Sequence, residues 1–369
     1  MQSETKKRIY VAATSQHVGK TTCTLGIFSV LRERGYNVGY CKPVGQEFVD
    51  LGDLKVDKDA LLFSRMMGFE LSAETHSPVI VGSGLTTAYL ENPSGFNFRE
   101  RILKAAEVLD SQHDVVVYEG TGHPGVGSVI DMSNADVAKA LGASVIMVVE
   151  GGIGSTIDEL NVNAALFREQ GVPISGVIIN KVQIEKMDKV RTYVGKKLNK
   201  WGIPLLGMLP FDKNLTYPIM EIIRQAVKGR IVFNEDSFDN WVENIVSGAL
   251  VERREIENFN RLLLIVSNSR LDHAIEVLEE MTEEHQLNGS PLAGIIVNGV
   301  ADFVPRFLEH FKRKDYIEKY KIPVISTTLD TYGAALKINR IEVKIHLRTL
   351  WKAERAIKMI REYVDLDGL

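Results

Sequence analysis

The sequence predicts an α/β protein: a doubly wound parallel sheet carrying a phosphate-binding loop (the P-loop type), followed by a smaller α/β domain. Three observations carry this. Short runs that are apolar throughout alternate with amphipathic stretches from Arg8 to Leu209, the pattern of parallel strands covered by helices on both faces. The first run leads into Gly19-Lys20-Thr21, a turn that opens a helix. The alternation changes around Thr216–Arg230 and then resumes in a second set of strands and helices.

Arg8–Ala13 reads as a buried strand, and the helix after the turn runs from Thr21 to about Arg34, with Gly35 as its C-terminal cap. Asn37–Cys41 is the second strand, ended by Lys42-Pro43, and Asp114–Tyr118 is the third, running into Glu119-Gly120. Ala143–Val149, Ile174–Asn180 and Leu205–Leu209 are the fourth to sixth, with helices over Asp136–Leu141, Thr156–Gln170 and Lys186–Trp201. Parallel sheets place ligands at the carboxyl ends of their strands, so chemistry is expected in the loops after the first three.

A boundary is expected near Leu215–Pro218, then a helix over Ile219–Val227. The later strands are Arg230–Phe233, Ile245–Leu250, Arg261–Val266, Ala293–Val297 and Pro323–Ser326, with helices over Leu271–Gln286 and Val304–Phe311. Leu347, Leu350, Trp351, Ile357, Ile360 and Val364 suit one face of a closing helix over Ile345–Val364. That face is expected to pack against its own domain. The predicted organisation is 1–217, 218–344 and a C-terminal helix in 345–369.

Composition narrows the function classes. Hydrophobic residues make up 45% of 369, enough for a sizeable core, and the 25% charged residues are ordinary for a globular protein. The net charge of −4 argues against a general nucleic-acid binder. No apolar run reaches the ~18 residues of a membrane span, and Met1–Arg8 is polar and mixed in charge, unlike a secretory signal. Cys23 and Cys41 alone make neither a disulfide framework nor a metal cluster. A cytoplasmic protein with no nucleic-acid or membrane partner is expected.

A triphosphate needs many donors in a small space, and a strand turning into a helix supplies them from backbone N–H groups and the helix dipole. Gly19 lets the backbone approach closely, Lys20 can reach the β and γ phosphates, and the Thr21 hydroxyl is placed for Mg²⁺. Thr14, Val18 and Thr22 complete the cradle, and His17 takes its variable slot, facing a phosphate or solvent. The strict pattern G-x-x-x-x-G-K-[ST] is not met, because Thr14 stands where its first glycine would be. Glu119, at the end of the third strand, can reach a metal beside the loop. Gly120, Thr121 and Gly122 offer a second backbone wall. Lys42 at the end of the second strand can stabilise charge on a transferring phosphoryl group.

Ala13–Thr21 resembles the G-T-D-T-x-V-G-K-T loop of dethiobiotin synthetase, departing at Ala13, Ser15 and Gln16. The resemblance implies ATP and Mg²⁺ as cofactors. It places Glu119 on the metal, as in that family's V-E-G, and Asp59 as a second metal ligand in D-K-D-A-L-L, with Asp57 the alternative and an N-cap role open to either. Lys42 in K-P-V corresponds to a lysine facing the carboxylated substrate and the γ-phosphate. Asn180 is implied at the adenine edge and Pro210 in the wall of the base pocket. A homodimer or larger homo-oligomer is also implied.

Ser128–Val182 is similar to the dethiobiotin synthetase-like domain at the front of long bacterial phosphate acetyltransferases. The region from about Glu221 to Leu336 resembles the DRTGG domain that follows it there, on Ile245–Leu250, Leu263–Arg270 and Pro323–Tyr332, with Gly294–Val300 in place of the namesake tetrapeptide. The resemblance leaves no room for the acetyltransferase domain, so acetyl transfer is not expected. It implies a nucleotide-dependent regulatory or sensor protein whose second domain reads an unknown small molecule. An ATP-dependent ligase phosphorylating a carboxylate or carbamate is the alternative, although Gly45-Gln46-Glu47 follows K-P-V and Glu47 would repel an anionic substrate. An amidotransferase of the cobyrinate diamide synthase kind would need a cysteine nucleophile in the second domain, and both cysteines lie in the first.

Overall fold

The computed structural model describes residues 7–52, 54–252, 255–256, 258–298 and 311–368. The chain divides into two compact units, Met1–Asp212 with Ile345–Leu369, and Lys213–Lys344.

The first unit is built on six parallel strands: β1 Lys7–Ala13, β2 Val38–Cys41, β3 Val115–Glu119, β4 Ser144–Glu150, β5 Ile174–Val182 and β6 Leu205–Pro210. Their order is β6-β5-β4-β1-β3-β2. The chain moves outward from β1 to one side and then returns to build the other, so β1 lies at the switch point where ligands bind in such sheets. The strands are apolar throughout because both faces are covered, and Val115–Glu119 is buried at every residue. The cover includes α1 Lys20–Glu33, α2 Lys58–Met67, α3 Phe98–Gln112, α4 Asn134–Leu141, α5 Gly154–Glu169 and α6 Met187–Trp201. α1 starts at Lys20, one residue earlier than predicted, because Gly19 caps it in the left-handed conformation at φ 105°. Two short pairs were not legible in the sequence. Val44–Gly45 pairs with Val79–Ile80, and Phe48–Asp50 forms a hairpin with Lys55–Asp57, which delivers Asp57 and α2 to the end of β2.

The second unit is a mixed five-stranded sheet: β7 Arg230–Phe233, β8 Asn244–Ser247, β9 Leu262–Ser267, β10 Leu292–Asn298 and β11 Val324–Thr327, in the order β7-β11-β10-β9-β8. Only β7, at the edge, runs antiparallel to its neighbour. α8 Leu271–Glu284 packs over one face on Leu264, Val266, Ile295 and Val297. α7 Met220–Ala226 and α10 Thr331–Asn339 cover Leu263, Ile265, Ile296 and Ile325 on the other. α9, Lys314–Lys319, lies between β10 and β11 in sequence. The strand expected over Ile245–Leu250 ends at Ser247, and Gly248–Glu252 is helical. A Cβ on Gly248 would sit 2.8 Å from Val266, so this glycine turns the chain tightly at the strand end. Residues 304–310 of the predicted helix over Val304–Phe311 lie outside the described residues.

The closing segment departs from the sequence pattern. Its helix, α11, spans Leu350–Tyr363 after a single tight turn at Leu347–Thr349, and belongs to the first unit. The buried face is Lys352, Ala353, Ala356, Met359 and Ile360, whereas Leu347 and Leu350 stay largely exposed. Ile360 of the expected stripe lies on this face and Val364 beyond it is also buried, but Lys352, Ala353 and Ala356 take the place of Leu347 and Leu350. α11 lies against α1. Ile360 fills the notch above Gly26, where a Cβ would be 2.2 Å from its Cγ1. Arg361 pairs with Glu33 at 2.9 Å and Arg34 with Asp367 at 2.6 Å. Val364 bridges Gly207 of β6.

Gly26→Val is expected to lower the unfolding free energy by about 1–3 kcal/mol through overpacking against Ile360, read by urea denaturation. Arg361→Ala, at an exposed pair, is expected to leave the midpoint nearly unchanged.

Candidate functional site

β1 delivers the chain to residues 14–19. The Thr14 N–H donates to the Val148 carbonyl at 3.0 Å, which fixes the loop to β4. The Thr14 hydroxyl, at the position where a glycine is usual, donates to Glu159 Oε2 of α5 at 2.9 Å. His17 and Gly19 both take left-handed conformations, at φ 60° and 105°. Asn180, at the end of β5, donates to the Val18 carbonyl at 2.7 Å. A Cβ on Gly19 would lie 2.1 Å from that amide, so the glycine is required by the brace as well as by its φ. Lys20 Nζ donates to the Gly122 carbonyl at 2.8 Å and so spans the two loops.

The facing wall, Gly120–Gly122, follows β3. The Gly120 N–H donates to the Val11 carbonyl at 2.9 Å, and the Thr121 hydroxyl to the carbonyl of Val44. The buried side chain of Asn134 holds the rest. Its Oδ1 accepts from the Thr121 N–H at 2.9 Å, and its amide donates to the carbonyls of Thr121 and His123 at 2.7 and 2.6 Å. The Tyr10 hydroxyl, kept neutral by burial, donates to the same Oδ1 at 2.7 Å. Sequence reasoning missed Asn134, Tyr10 and Glu159. The available signal was Ser133-x-x-Asp136, whose capping box starts α4 and so orients Asn134 at its first residue.

Between the walls lies a buried charge cluster. Glu119 Oε1 accepts from the Thr21 hydroxyl at 2.8 Å, and Oε2 from Tyr40 at 3.3 Å. Lys42 Nζ lies 3.5 Å from Glu119 Oε1 and 3.8 Å from Asp57 Oδ1, and forms an ion pair with Asp59. Asp57 caps α2 by accepting from the Asp59 N–H at 2.9 Å, while Asp59 sits inside the helix's first turn rather than before it. Burial pushes the Glu119 carboxyl up to about 7, with Asp59 adding to the rise and Lys42 opposing it. The same burial pushes Asp57 up to about 6. Burial works against the Lys42 ammonium, but Asp59, Glu119 and Asp57 together hold it well above its usual range.

A family model described as an AAA domain matches residues 7–218. The chain belongs to this AAA-domain family. Phosphate acetyltransferase of Nitrosomonas europaea is 25% identical over 370 residues, covering 96% of this chain and 50% of that protein. That of Pseudomonas aeruginosa is also 25% identical, covering 98% and 51%. ATP-dependent dethiobiotin synthetase BioD of Clostridium kluyveri is 28% identical over 250 residues, 65% of this chain and 97% of that protein. This chain thus spans about half the length of the phosphate acetyltransferases it matches. Among solved structures, the MinD cell division protein of Aquifex aeolicus aligns over 57% of this chain and 84% of that one, at 15% identity and a TM-score of 0.36. The first unit of this AAA-domain protein is a dethiobiotin synthetase-like P-loop domain, and a P-loop domain binds nucleotide. No helix among the described residues is long and apolar enough to cross a membrane.

Within this AAA domain the remaining sequence-named positions take definite places. Thr22 lies in the first turn of α1. Asn180 Oδ1 accepts from the Lys181 N–H at 2.9 Å, so its amide group braces the strand end as well as the loop. Pro210 closes β6, and the Phe211 N–H donates to the Val182 carbonyl at 2.8 Å, setting the β5 and β6 loops side by side. His17 is exposed. Among the described residues no set of three or more His, Cys, Asp or Glu side chains forms a metal cage unaided. The oxygens of Thr21, Glu119 and Asp59 are hard donors of the kind that could hold a divalent cation.

Asn134→Ala is expected to weaken nucleotide binding by about tenfold by freeing the Gly120–Gly122 wall, measured by calorimetric titration. Glu119 and Asp57 bind protons more tightly folded than unfolded. Their contribution to stability is therefore full below about pH 4 and is lost as pH rises through about 6 and about 7. Melting temperatures of nucleotide-free protein from pH 4 to 8 are expected to decline across that window, and Glu119→Gln to flatten the decline.

Proposed function

We propose that this chain is an ATP- and Mg²⁺-binding regulatory or sensor protein, related to the front region of phosphate acetyltransferase. Its first unit binds the nucleotide and its second, of the DRTGG kind, reads a small molecule. The observation that carries this is the extent of the match: relatives aligned over 96% and 98% of this chain span both units, so the two are found together.

In this reading Lys20 faces the β and γ phosphates, the backbone of residues 14–22 cradles them, and Gly120 contributes to the facing wall. Thr21, Asp59 and Glu119 hold Mg²⁺, which neutralises phosphate charge. Asn180 and Pro210 border the base, Lys42 faces the γ-phosphate, and His17 lies at the mouth of the loop. Pairing of two copies belongs to the same reading.

A second reading is an ATP-dependent ligase that phosphorylates a carboxylate or carbamate. It is favoured by the match to 97% of a dethiobiotin synthetase and by the two lysines, Lys20 and Lys42, lying on either side of Glu119's loop. Phosphoryl transfer is mostly positioning and charge stabilisation, for which these groups suffice. Glu47 opposes an anionic substrate.

ATP binding with negligible turnover across bicarbonate, small amines and carboxylates is the expected result. Turnover stimulated by one of them, with a carboxylated or phosphorylated product, would replace the sensor reading with the ligase. Lys20→Ala is expected to weaken ATP binding by about two orders of magnitude, and unchanged affinity would remove the loop assignment.

A further inference from the structure

Lys42 faces more negative charge than one ammonium can neutralise. Three carboxylates converge on it: Asp59 in an ion pair, Glu119 at 3.5 Å and Asp57 at 3.8 Å. Its side chain is only 8% exposed, so water screens little of this. The oxygen it approaches on Glu119 is Oε1, the one that accepts from the Thr21 hydroxyl at 2.8 Å. The lysine and the proposed metal therefore share Asp59 and a single oxygen of Glu119.

We propose that Lys42 competes with the divalent cation for Asp59 and Glu119, so that the metal enters only together with a nucleoside triphosphate. This rests on the reading of Thr21, Asp59 and Glu119 as metal ligands.

An ammonium and a dication repel when they touch the same buried oxygens. A free divalent ion offers Lys42 no other anion, so the lysine keeps the carboxylates. A metal–triphosphate complex changes both sides of the exchange. Its phosphate oxygens give the lysine an anionic partner and complete the coordination of the metal, which two carboxylates and a hydroxyl leave unfinished. Asp57 stays behind in either state, held by its cap on the Asp59 N–H. The device makes the pocket selective for the loaded nucleotide over the free ion.

Mn²⁺ titration of the full chain, followed by electron paramagnetic resonance with and without a non-hydrolysable ATP analogue, tests this. Wild type is expected to take up Mn²⁺ tightly only with the analogue. Lys42→Met is expected to bind Mn²⁺ without nucleotide about tenfold or more tightly than wild type, and Lys42→Arg, which keeps the cation, to behave as wild type. Circular dichroism checks folding. If Lys42→Met does not fold, Lys42→Gln, which keeps a donor for Asp59 without the charge, is read in its place. Nucleotide-free affinity unchanged in the neutral variant, with the metal still bound beside the analogue, overturns the competition and leaves the ligand reading standing. Mn²⁺ uptake that the analogue does not enhance, and that Asp59→Asn and Glu119→Gln do not alter, overturns the ligand reading and the competition with it.

Discussion

The parallel pairing of β1 with β3 is the constraint on which the site depends. Val11 stands in register with Glu119, so the loop leaving β1 and the carboxylate ending β3 emerge side by side. The Gly120 N–H then donates to the Val11 carbonyl, extending the ladder one step into the loops themselves. β2 pairs with β3 on its other edge, with Cys41 opposite Tyr118, and so Lys42 emerges one residue along on the far side of Glu119. Three consecutive neighbours in one sheet thus supply a loop lysine, a buried carboxylate and a second lysine in a row. A slip of one residue in either pairing would turn Glu119 to the opposite face.

Around that row the protein spends its buried polar groups on fixing backbone. Asn134 reaches across from α4 to hold one wall and Asn180 from β5 to hold the other. Tyr10 and Tyr40 lend hydroxyls from within the sheet. Neutral side chains and Lys20 tie the loops, while the other charged groups converge on the space between them. Rigid backbone donors around a concentrated charge suit recognition of a polyanion with its counter-ion better than binding of an apolar ligand.

The parts of this arrangement legible in the sequence are those whose signal is local. An apolar strand running into Gly19-Lys20-Thr21, a carboxylate ending another strand and Lys42-Pro43 after a third each announce themselves within a few residues. Residues whose meaning lies in a distant partner do not. Glu159 meets Thr14 from 145 positions away and Tyr10 meets Asn134 from 124, and neither distance leaves a trace in periodicity. Asp59 is favoured over Asp57 only through the family resemblance, and the helix start is what tells them apart: Asp57 is the cap, while Asp59, inside the first turn, makes the closer ion pair with Lys42. The buried face of α11 is only partly legible for a related reason. Gly26 makes room for Ile360 by being small, and smallness carries no apolar signal.

The return of α11 to α1 has a consequence for synthesis. The helix that begins at Lys20 is complete early in translation, yet the residues that cover Gly26 are made only after the whole second unit, Lys213–Lys344. At ordinary elongation rates of roughly 5–20 residues per second, that delay is on the order of tens of seconds. During it the nucleotide domain must hold together with one flank of α1 bare. A nascent chain of this design therefore has the helix that begins at Lys20 uncovered on that flank until Ile360 has been made.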